Sequence, residues 1–197
     1  MRRVRLGLLI SVLAGCALAS RAYGSDIVPL APDHVALTTQ KYPSLCWVQE
    51  RPIKAEDIIV ILKDPSGIKA TMDIKLPSSI LADKGNTCRC VHLRDYGVQL
   101  EPNIQYQWLM SFTQISESPS QKVVAGGVIE RCDDECMFLE GQSECDQQTV
   151  LRSAHGGAWY DSISCLCELI DADPQNRNLR RLLDRLLEEV SMIHGES

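Results

Sequence analysis

The sequence lacks a basic tract, and this absence limits the partners that the protein can have. It contains 20 lysine and arginine residues against 26 aspartate and glutamate residues, which gives a formal net charge of −6. Three of the arginines, Arg2, Arg3 and Arg5, lie within residues 1–15, and their removal would lower the net charge to −9. Nucleic acids and anionic membrane surfaces bind basic proteins. We therefore expect neither of them as a partner.

The motifs that mark common enzyme active sites are also missing. No serine lies in a Gly-x-Ser-x-Gly elbow, and no glycine-rich loop follows the phosphate-binding pattern. Asp133-Asp134-Glu135 lacks the alternating ligands of a calcium loop, so we interpret it as a solvated acidic loop. The histidines occur singly, without the helical spacing that holds zinc: His34, His92, His155 and His194. We predict no catalytic residue, no metal site and no cofactor.

Long hydrophobic runs are absent as well, apart from one near the start of the chain. The run Leu6–Ala14 follows the three arginines and is too short to span a bilayer. A basic segment followed by a short apolar run is typical of a signal peptide, which we place over residues 1–19. The protein is therefore predicted to be exported.

Two kinds of cleavage site fit this segment. Leu13-Ala14-Gly15-Cys16 resembles the bacterial lipoprotein box, in which the cysteine becomes the acylated first residue of the mature chain. Ala17-Leu18-Ala19 instead matches ordinary cleavage before Ser20, with a weaker second site at Ala22-Tyr23-Gly24. We favour acylation of Cys16, which would place the protein at the outer membrane because alanine follows the cysteine; ordinary cleavage would release it into the periplasm. Residues 20–34 would form a tether, since glycine and prolines interrupt them.

Residues 35–131 show the pattern of a β-sandwich. Short segments rich in β-branched residues alternate there with turn residues such as Asp64-Pro65-Ser66-Gly67. This spacing favours an antiparallel, immunoglobulin-like sandwich of about seven strands over a parallel sheet with crossover helices. The predicted strands are Val35–Thr39, Ser44–Gln49, Asp57–Lys63, Ile68–Ile74, Thr87–Leu93, Gln105–Phe112 and Val123–Glu130.

The stretch from Leu100 to Phe112 is predicted to be the central strand. Pro102 and Asn103 begin it as a turn, in which asparagine tolerates an unusual φ. The Leu-x-Pro-x-x-x-Tyr pattern predicts that the Tyr106 hydroxyl bonds back to this turn, as in immunoglobulin-like sandwiches. Alternation places five large residues on one apolar face: Ile104, Tyr106, Trp108, Met110 and Phe112.

Two further features of the strands bear on the core. Trp47, Trp108 and Trp159 each lie in a periodic apolar segment, which favours core positions over a sugar-binding platform. Gly126-Gly127 interrupts the last predicted strand, where glycine marks a bulge or a close backbone approach. We predict a bulge, which is the more common of the two.

From residue 132 to residue 197 the apolar spacing becomes helical. The pattern predicts helices over residues 143–155, Trp159–Ala172 and Asn178–Ile193, with stops at Gly156-Gly157 and Asp173-Pro174. The third helix carries a leucine stripe that must be buried. The predicted fold is therefore α+β, with a two- to three-helix appendage on the β-sandwich.

Removal of Cys16 leaves eight cysteines. Because this number is even and an exported protein meets an oxidising compartment, disulfides are favoured. They are Cys46, Cys88, Cys90, Cys132, Cys136, Cys145, Cys165 and Cys167. Eight cysteines allow 105 connectivities. We expect disulfides between neighbouring elements. Cys46 would bond Cys88 or Cys90, and Cys145 would bond Cys165 or Cys167. Whichever of Cys165 and Cys167 is left would bond Cys132 or Cys136. Zinc or copper binding by thiolates and redox catalysis are the alternatives.

The segment Trp159–Pro174 resembles the second helix of a tetratricopeptide repeat. Ser162, Leu166 and Pro174 fall where that repeat places a small residue, a bulky residue and its proline. The likeness covers one period at most, whereas stable arrays need about three. It therefore implies a single helical hairpin.

The mature chain as a whole resembles a bacterial family of unknown function, DUF928, over roughly residues 31–192. The most specific segments are Val124–Arg131 and Gly157–Ser162, and the others are Pro43–Trp47 and Leu100–Trp108. Cys46 stands where the family more commonly has an aromatic residue, and the cysteine density is unusual for it. The resemblance implies an exported protein with a β-rich half and a helical half, and it brings no catalytic residues.

These observations lead to a non-catalytic function as the first expectation. The protein would be a periplasm-facing interaction or assembly module whose helical region presents a groove to a protein partner in the envelope. Trp159, Tyr160 and Leu166 are the residues expected to form that surface. The alternative is a metal- or small-ligand-binding protein that uses the clustered cysteines, and an enzyme is the third class. Membrane contact is expected only through a lipid on Cys16.

Overall fold

The computed structural model describes residues 27–49, 59–63, 70–76, 87–114, 121–132 and 144–192. The predicted signal peptide with its lipidation site, Cys16, lies outside these described residues. So do the acidic loop Asp133–Glu135, Cys136 and His194.

Within the described ranges, eight strands form two sheets. The smaller sheet has the order β1-β3-β6, with antiparallel neighbours: β1 (Ile27–Pro29), β3 (Ser44–Gln49) and β6 (Thr87–His92). The larger sheet has the order β2-β8-β7-β4-β5: β2 (Val35–Thr38), β4 (Ile59–Lys63), β5 (Ala70–Lys75), β7 (Gln105–Gln114) and β8 (Gln121–Arg131). A short 3-10 helix, Leu93–Tyr96, follows β6.

The predicted α+β class is confirmed, and each of the seven predicted strands corresponds to an observed one. The finer prediction, an immunoglobulin-like antiparallel sandwich of about seven strands, is not shown, and two features depart from it. Ile27–Pro29 form an additional strand, so this part of the predicted tether belongs to the fold, and Ile27 and Leu30 are fully buried. In addition, β2 is an edge strand of the larger sheet and pairs with β8 in parallel, with Val35 opposite Val128.

The turn before β7 has the predicted geometry. Asn103 adopts a φ of 60°, in the left-handed region that asparagine tolerates. The backbone N–H of Glu101 donates to the Tyr106 hydroxyl over 3.3 Å, and Tyr106 is buried. Trp108 and Met110 are fully buried beyond it. The expectation of a tyrosine bonded back to the turn is therefore confirmed. The apolar core face is confirmed for Tyr106, Trp108 and Met110, whereas Ile104 is half-buried and the side chain of Phe112 lies outside the described residues.

The glycine pair in β8 is a close approach and not a bulge. The register of β7 and β8 runs without a shift from Gln105 opposite Glu130 to Gln114 opposite Gln121, so the predicted bulge is wrong. A Cβ atom on Gly127 would lie 2.5 Å from the Cβ of Ala31 and 3.0 Å from the Tyr160 hydroxyl. Real Cβ atoms essentially never come as close as 2.5 Å to another heavy atom, so glycine is required here for packing.

Three helices follow the strands in the described part of the chain: α1 (Gln147–His155), α2 (Trp159–Ala172) and α3 (Arg177–Met192). Asp146 caps α1 by accepting from the backbone N–H of Thr149 over 2.6 Å. Helix α2 packs against strands of both sheets, and α1 and α3 pack against α2. The leucine stripe of α3 is buried as predicted. No helix among the described residues is long and apolar enough to cross a membrane.

The structure contains disulfides, as expected. Cys46 is bonded to Cys90, which lies directly opposite it in the smaller sheet. Cys145, which precedes α1, is bonded to Cys165 of α2. Cys132 is also disulfide-bonded.

The remaining described cysteines, Cys88 and Cys167, are buried thiols. The expectation that the second cysteine of α2 reaches Cys132 or Cys136 is therefore not met. Residues two apart in a helix diverge by about 200°. Cys165 consequently points toward the segment before α1, whereas Cys167 lies near the cysteines of the smaller sheet.

Candidate functional site

The first turn of α2 is fixed to the strands by hydrogen bonds from two aromatic side chains. The indole Nε1 of Trp159 donates to the carbonyl of Leu30, just after β1, over 3.1 Å. The Tyr160 hydroxyl donates to the carbonyl of Val128 in β8 over 3.1 Å and accepts from the indole Nε1 of Trp108 over 2.9 Å. Burial raises the pKa of Tyr160, so this hydroxyl keeps the proton that it donates.

The next residue, Asp161, binds the end of β2. Its carboxylate accepts from the Thr38 hydroxyl over 2.5 Å, from the Thr39 backbone N–H over 2.9 Å and from the Thr39 hydroxyl over 2.5 Å. Burial raises the pKa of Asp161, and the three donors oppose that shift. The first turn of α2 thus contacts β2, β7, β8 and the segment after β1.

Beside this turn lies a cleft of about 780 Å³. One wall is a stripe of α2 formed by Asp161, Ser164, Cys165 and Glu168, whose spacing places them on one helix face. The facing walls come from the ends of the smaller sheet and from the residues around α1. They include Tyr42, Ser44, His92, Arg94, Asp95, Glu144, Thr149 and Ser153. Polar side chains therefore form most of the lining.

The charged groups of the cleft are mainly acidic. Asp95, Glu144, Asp161 and Glu168 line it, against one permanently charged base, Arg94. Glu144 and Glu168 are exposed to solvent, so they remain available to a charged ligand. The cleft consequently favours a cationic group over an anionic one.

A serine and a histidine meet at one edge of the cleft. The Ser44 hydroxyl and the Nδ1 of His92 lie 2.8 Å apart, and these two residues are cross-strand partners in β3 and β6. Nucleophilic catalysis by such a pair normally uses a third group to orient the histidine. Within the described residues His92 makes no hydrogen bond to a carboxylate, so the contact is that of a cross-strand polar pair.

The sequence profile of a family described as Domain of Unknown Function (DUF928) matches residues 17–195. The chain belongs to the DUF928 family. In this DUF928 protein the two most specific segments of the resemblance meet in space, because Gly127 of one packs against Tyr160 of the other. A search of curated proteins found no match to the chain. The likeness of the α1–α2 hairpin to a tetratricopeptide repeat stays a prediction.

The residues expected to form a partner surface lie in the core of the DUF928 protein. Trp159, Tyr160 and Leu166 are 7%, 2% and 0% exposed. Their side chains pack inside the fold, so they cannot also be presented to a partner. On α2 the accessible positions facing the cleft are Ser164 and Glu168.

The residues of α2 that line the cleft could be recognised in part from the sequence. Asp161, Ser164 and Glu168 form a polar stripe, with positions i, i+3 and i+7, on a helix that is otherwise largely apolar. Nothing in the sequence pairs this stripe with Ser44, His92 or Glu144, which come from distant segments. The cleft therefore could not be assembled from the sequence alone.

The cysteines of the DUF928 protein also converge at one point. The sulfur atoms of Cys46, Cys90 and Cys167 all lie within 4.8 Å of one another. Cys88, a buried thiol, lies two residues before Cys90 on the same face of β6. Zinc and copper(I) accept thiolate ligands, and Cys46, Cys90 and Cys167 would supply three of them.

Proposed function

We propose that this DUF928 protein is an exported, non-catalytic interaction module whose cleft binds a basic segment of a protein partner in the envelope. The observation that carries the proposal is the polar, mainly acidic cleft of about 780 Å³ beside α2. Its walls come from the smaller sheet, the residues around α1, and α2. The proposal keeps the expected groove in the helical region and assigns it to different residues.

The polarity of the lining supports a protein segment over a drug-like ligand. Pockets for small molecules are lined mainly by apolar and aromatic side chains with few polar groups. Here threonines, serines, glutamates and an arginine surround the space. Exposed carboxylates such as Glu144 and Glu168 suit lysine or arginine side chains, which can reach them while staying partly hydrated.

The buried polar groups near the cleft support binding over catalysis. The Asp161 carboxylate already accepts three hydrogen bonds from Thr38 and Thr39. The Ser44 hydroxyl contacts its cross-strand partner, His92. These groups hold segments of the fold together. An enzyme would use the same residue types for proton transfer, whereas here their role is structural.

A titration with charged peptides tests this function. Fluorescence anisotropy of labelled hexalysine and hexaglutamate should show binding of the basic peptide alone, and added salt should weaken it. The double variant Glu144→Gln/Glu168→Gln should bind hexalysine about two- to thirtyfold more weakly, because each exposed charge pair contributes about 0.2–1 kcal/mol. The matched control Asp184→Asn/Glu188→Gln removes two exposed charges from α3, outside the cleft, and should bind as the wild type does.

Two results of the titration would count against the proposal. Equal binding of both peptides would show that the charge of the cleft does not select its ligand. Equal weakening by the cleft variant and the α3 variant would show that net charge alone, and not the cleft, attracts the basic peptide.

Export and lipidation form the second part of the proposal. The run Leu6–Ala14 and the box ending at Cys16 support it. Mass spectrometry of the mature N-terminus should find an acylated Cys16, and the protein should partition into detergent. The variant Cys16→Ser should lose the lipid. A mature chain that begins at Ser20 would favour the soluble periplasmic form instead.

A soft-metal function is the second candidate, and the convergence of Cys46, Cys90 and Cys167 favours it. It requires the reduced protein, because the bond between Cys46 and Cys90 occupies two of the sulfur atoms. Elemental analysis of protein purified under a phosphine reductant tests it. One equivalent of zinc or copper, lost in a Cys90→Ser variant, would support this function.

A further inference from the structure

We propose that Cys88 and Cys167 are the site of an additional disulfide, which joins the smaller sheet to helix α2. It would be formed beside the bond between Cys46 and Cys90. The inference does not depend on what the cleft binds, because it rests on the packing of the four cysteines.

The placement of these residues follows from strand and helix geometry. Cys88 and Cys90 are two residues apart in β6, so their side chains share one face of the sheet. Cys46 lies directly opposite Cys90 in β3, and its sulfur is on the same face, because the two are bonded. Helix α2 packs against β3 and β6 and brings the Cys167 sulfur within 4.8 Å of the sulfurs of Cys46 and Cys90.

Both thiols are buried where α2 packs on the smaller sheet. Cys88 and Cys167 are 4% and 3% exposed, and neither is disulfide-bonded in the structure. Because Cys46 and Cys90 are already bonded to each other, each of these thiols has the other as its available partner in the cluster.

The surroundings favour an uncharged product. Burial raises the pKa of Cys167, and Cys88, Asp171 and Glu168 raise it further. A zinc ion held by the thiolates of Cys46, Cys90 and Cys167 would place a net charge of about −1 in this interface, near those two carboxylates. A disulfide carries no charge, so it is compatible with the buried and electronegative environment.

The oxidation balances with a thiol–disulfide oxidant of the envelope. The two thiols release two protons and two electrons and form one S–S bond, while the disulfide of the oxidant is cleaved and leaves as two thiols. The attacking species in each exchange is a thiolate. Because both thiols are buried in the folded protein, we place the exchange during folding, when α2 has come close to the sheet but the oxidant can still reach the sulfur atoms.

The bond would link parts of the fold that the other described bonds leave separate. The disulfide Cys46–Cys90 joins two strands of the smaller sheet. The disulfide Cys145–Cys165 joins α2 to the segment before α1. The bond between Cys88 and Cys167 would connect the sheet to α2 directly. It would thereby hold the α2 wall of the cleft against the strands that form the opposite wall.

Peptide mapping of the full chain tests the inference. Protein folded in a mixture of reduced and oxidised glutathione would be denatured, alkylated with N-ethylmaleimide and digested with trypsin without reduction. Cleavage after Arg89 separates Cys88 from Cys90. The expected linked products join residues 42–54 to 90–94, and residues 85–89 to 153–177, which the Cys145–Cys165 bond also links to residues 132–152. Chymotryptic cleavage after Leu166 then distinguishes Cys165 from Cys167.

Cysteine variants provide the matched controls. In the wild type we expect no alkylation at Cys46, Cys88, Cys90 or Cys167. In the double variant Cys88→Ser/Cys167→Ser we expect none at Cys46 or Cys90. Each single variant, Cys88→Ser or Cys167→Ser, should expose one alkylated thiol at the other position. If a variant fails to fold, the map of the wild type still decides the question.

Three results would overturn the inference. The first is alkylation of both Cys88 and Cys167 in the wild type without bound metal. The second is the same alkylation together with one equivalent of zinc or copper in elemental analysis, which would establish a metal site. The third is a different connectivity, such as Cys88 linked to Cys46.

Discussion

The indole Nε1 of Trp108, in the middle of β7, donates a 2.9 Å hydrogen bond to the hydroxyl of Tyr160 in the first turn of α2. The same hydroxyl donates to Val128 of β8, across the space that Gly127 leaves open. A single side chain of the helix therefore binds two neighbouring strands of the larger sheet. With Asp161 bound to the end of β2, this contact fixes the position of the α2 wall of the cleft.

Replacement of Tyr160 by phenylalanine should destabilise the protein by about 1–3 kcal/mol. The variant keeps the ring but leaves the Trp108 indole N–H and the Val128 carbonyl without their buried partner, which costs about that much. Urea unfolding followed by tryptophan fluorescence would measure the change. The control Tyr42→Phe removes a hydroxyl from a half-buried residue at the cleft and should change stability by less than about 0.5 kcal/mol. Equal losses in both variants would contradict this account.

Replacement of Gly127 by alanine should also destabilise the fold, by about 1–3 kcal/mol, because overpacking displaces neighbouring groups. The added methyl group would meet the Ala31 Cβ at 2.5 Å and the Tyr160 hydroxyl at 3.0 Å. Urea unfolding of Gly127→Ala, Ala31→Gly and the double variant would measure the coupling. The double variant should recover part of the loss, since one of the two contacts is relieved. Strict additivity of the two single changes would contradict the predicted clash.

Periodic segments of the fold could be predicted from the sequence. Alternating or continuous apolar residues gave β3 and β7 to within about two residues, and the leucine stripe, Gly157 and Asp173-Pro174 gave the helices. Ile27–Pro29 could not be recognised, because three residues carry no period and proline is rare in strands. The parallel pairing of β2 with β8 has no local signal, since it depends on residues about 93 positions apart.

The candidate site was predicted less well, for a related reason. An apolar stripe on a helix does not reveal whether it packs on the same chain or on a partner, so Trp159, Tyr160 and Leu166 were assigned to a partner surface although they are buried. The contacts of Asp161 with Thr38 and Thr39 span 123 and 122 residues. No spacing rule connects residues at that distance in the sequence.

The protonation of Asp161 should make stability depend on pH. Burial raises the pKa of this carboxyl above its unfolded value of about 3.9, so the native state binds the proton more tightly. The resulting stabilisation is full below about pH 4 and is lost as the pH rises through the raised pKa. The difference in unfolding free energy between the wild type and Asp161→Asn should therefore shrink from pH 4 toward neutrality. A difference that grows with pH would mean that the three donors outweigh burial.

Removal of the disulfide between Cys145 and Cys165 should cost about 3 kcal/mol under oxidising conditions. The bond closes a segment with a sequence separation of 20 residues, for which the chain-entropy model gives roughly this value. Urea unfolding of the double variant Cys145→Ser/Cys165→Ser, with and without a reductant, would measure the effect. The loss should disappear when the wild type is reduced. A variant as stable as the oxidised wild type would contradict the prediction.

The central claim is that the acidic cleft beside α2 binds a basic segment of an envelope protein. Site-specific photo-crosslinking tests it most directly, with the crosslinker at Ser164 inside the cleft and, as a control, at the exposed Arg181 of α3. Crosslinked peptides would be sequenced by mass spectrometry, with and without excess hexalysine. We predict partner peptides rich in lysine or arginine from Ser164 alone, displaced by hexalysine. Crosslinks of equal yield from Arg181, or products from Ser164 that hexalysine does not displace, would contradict the claim.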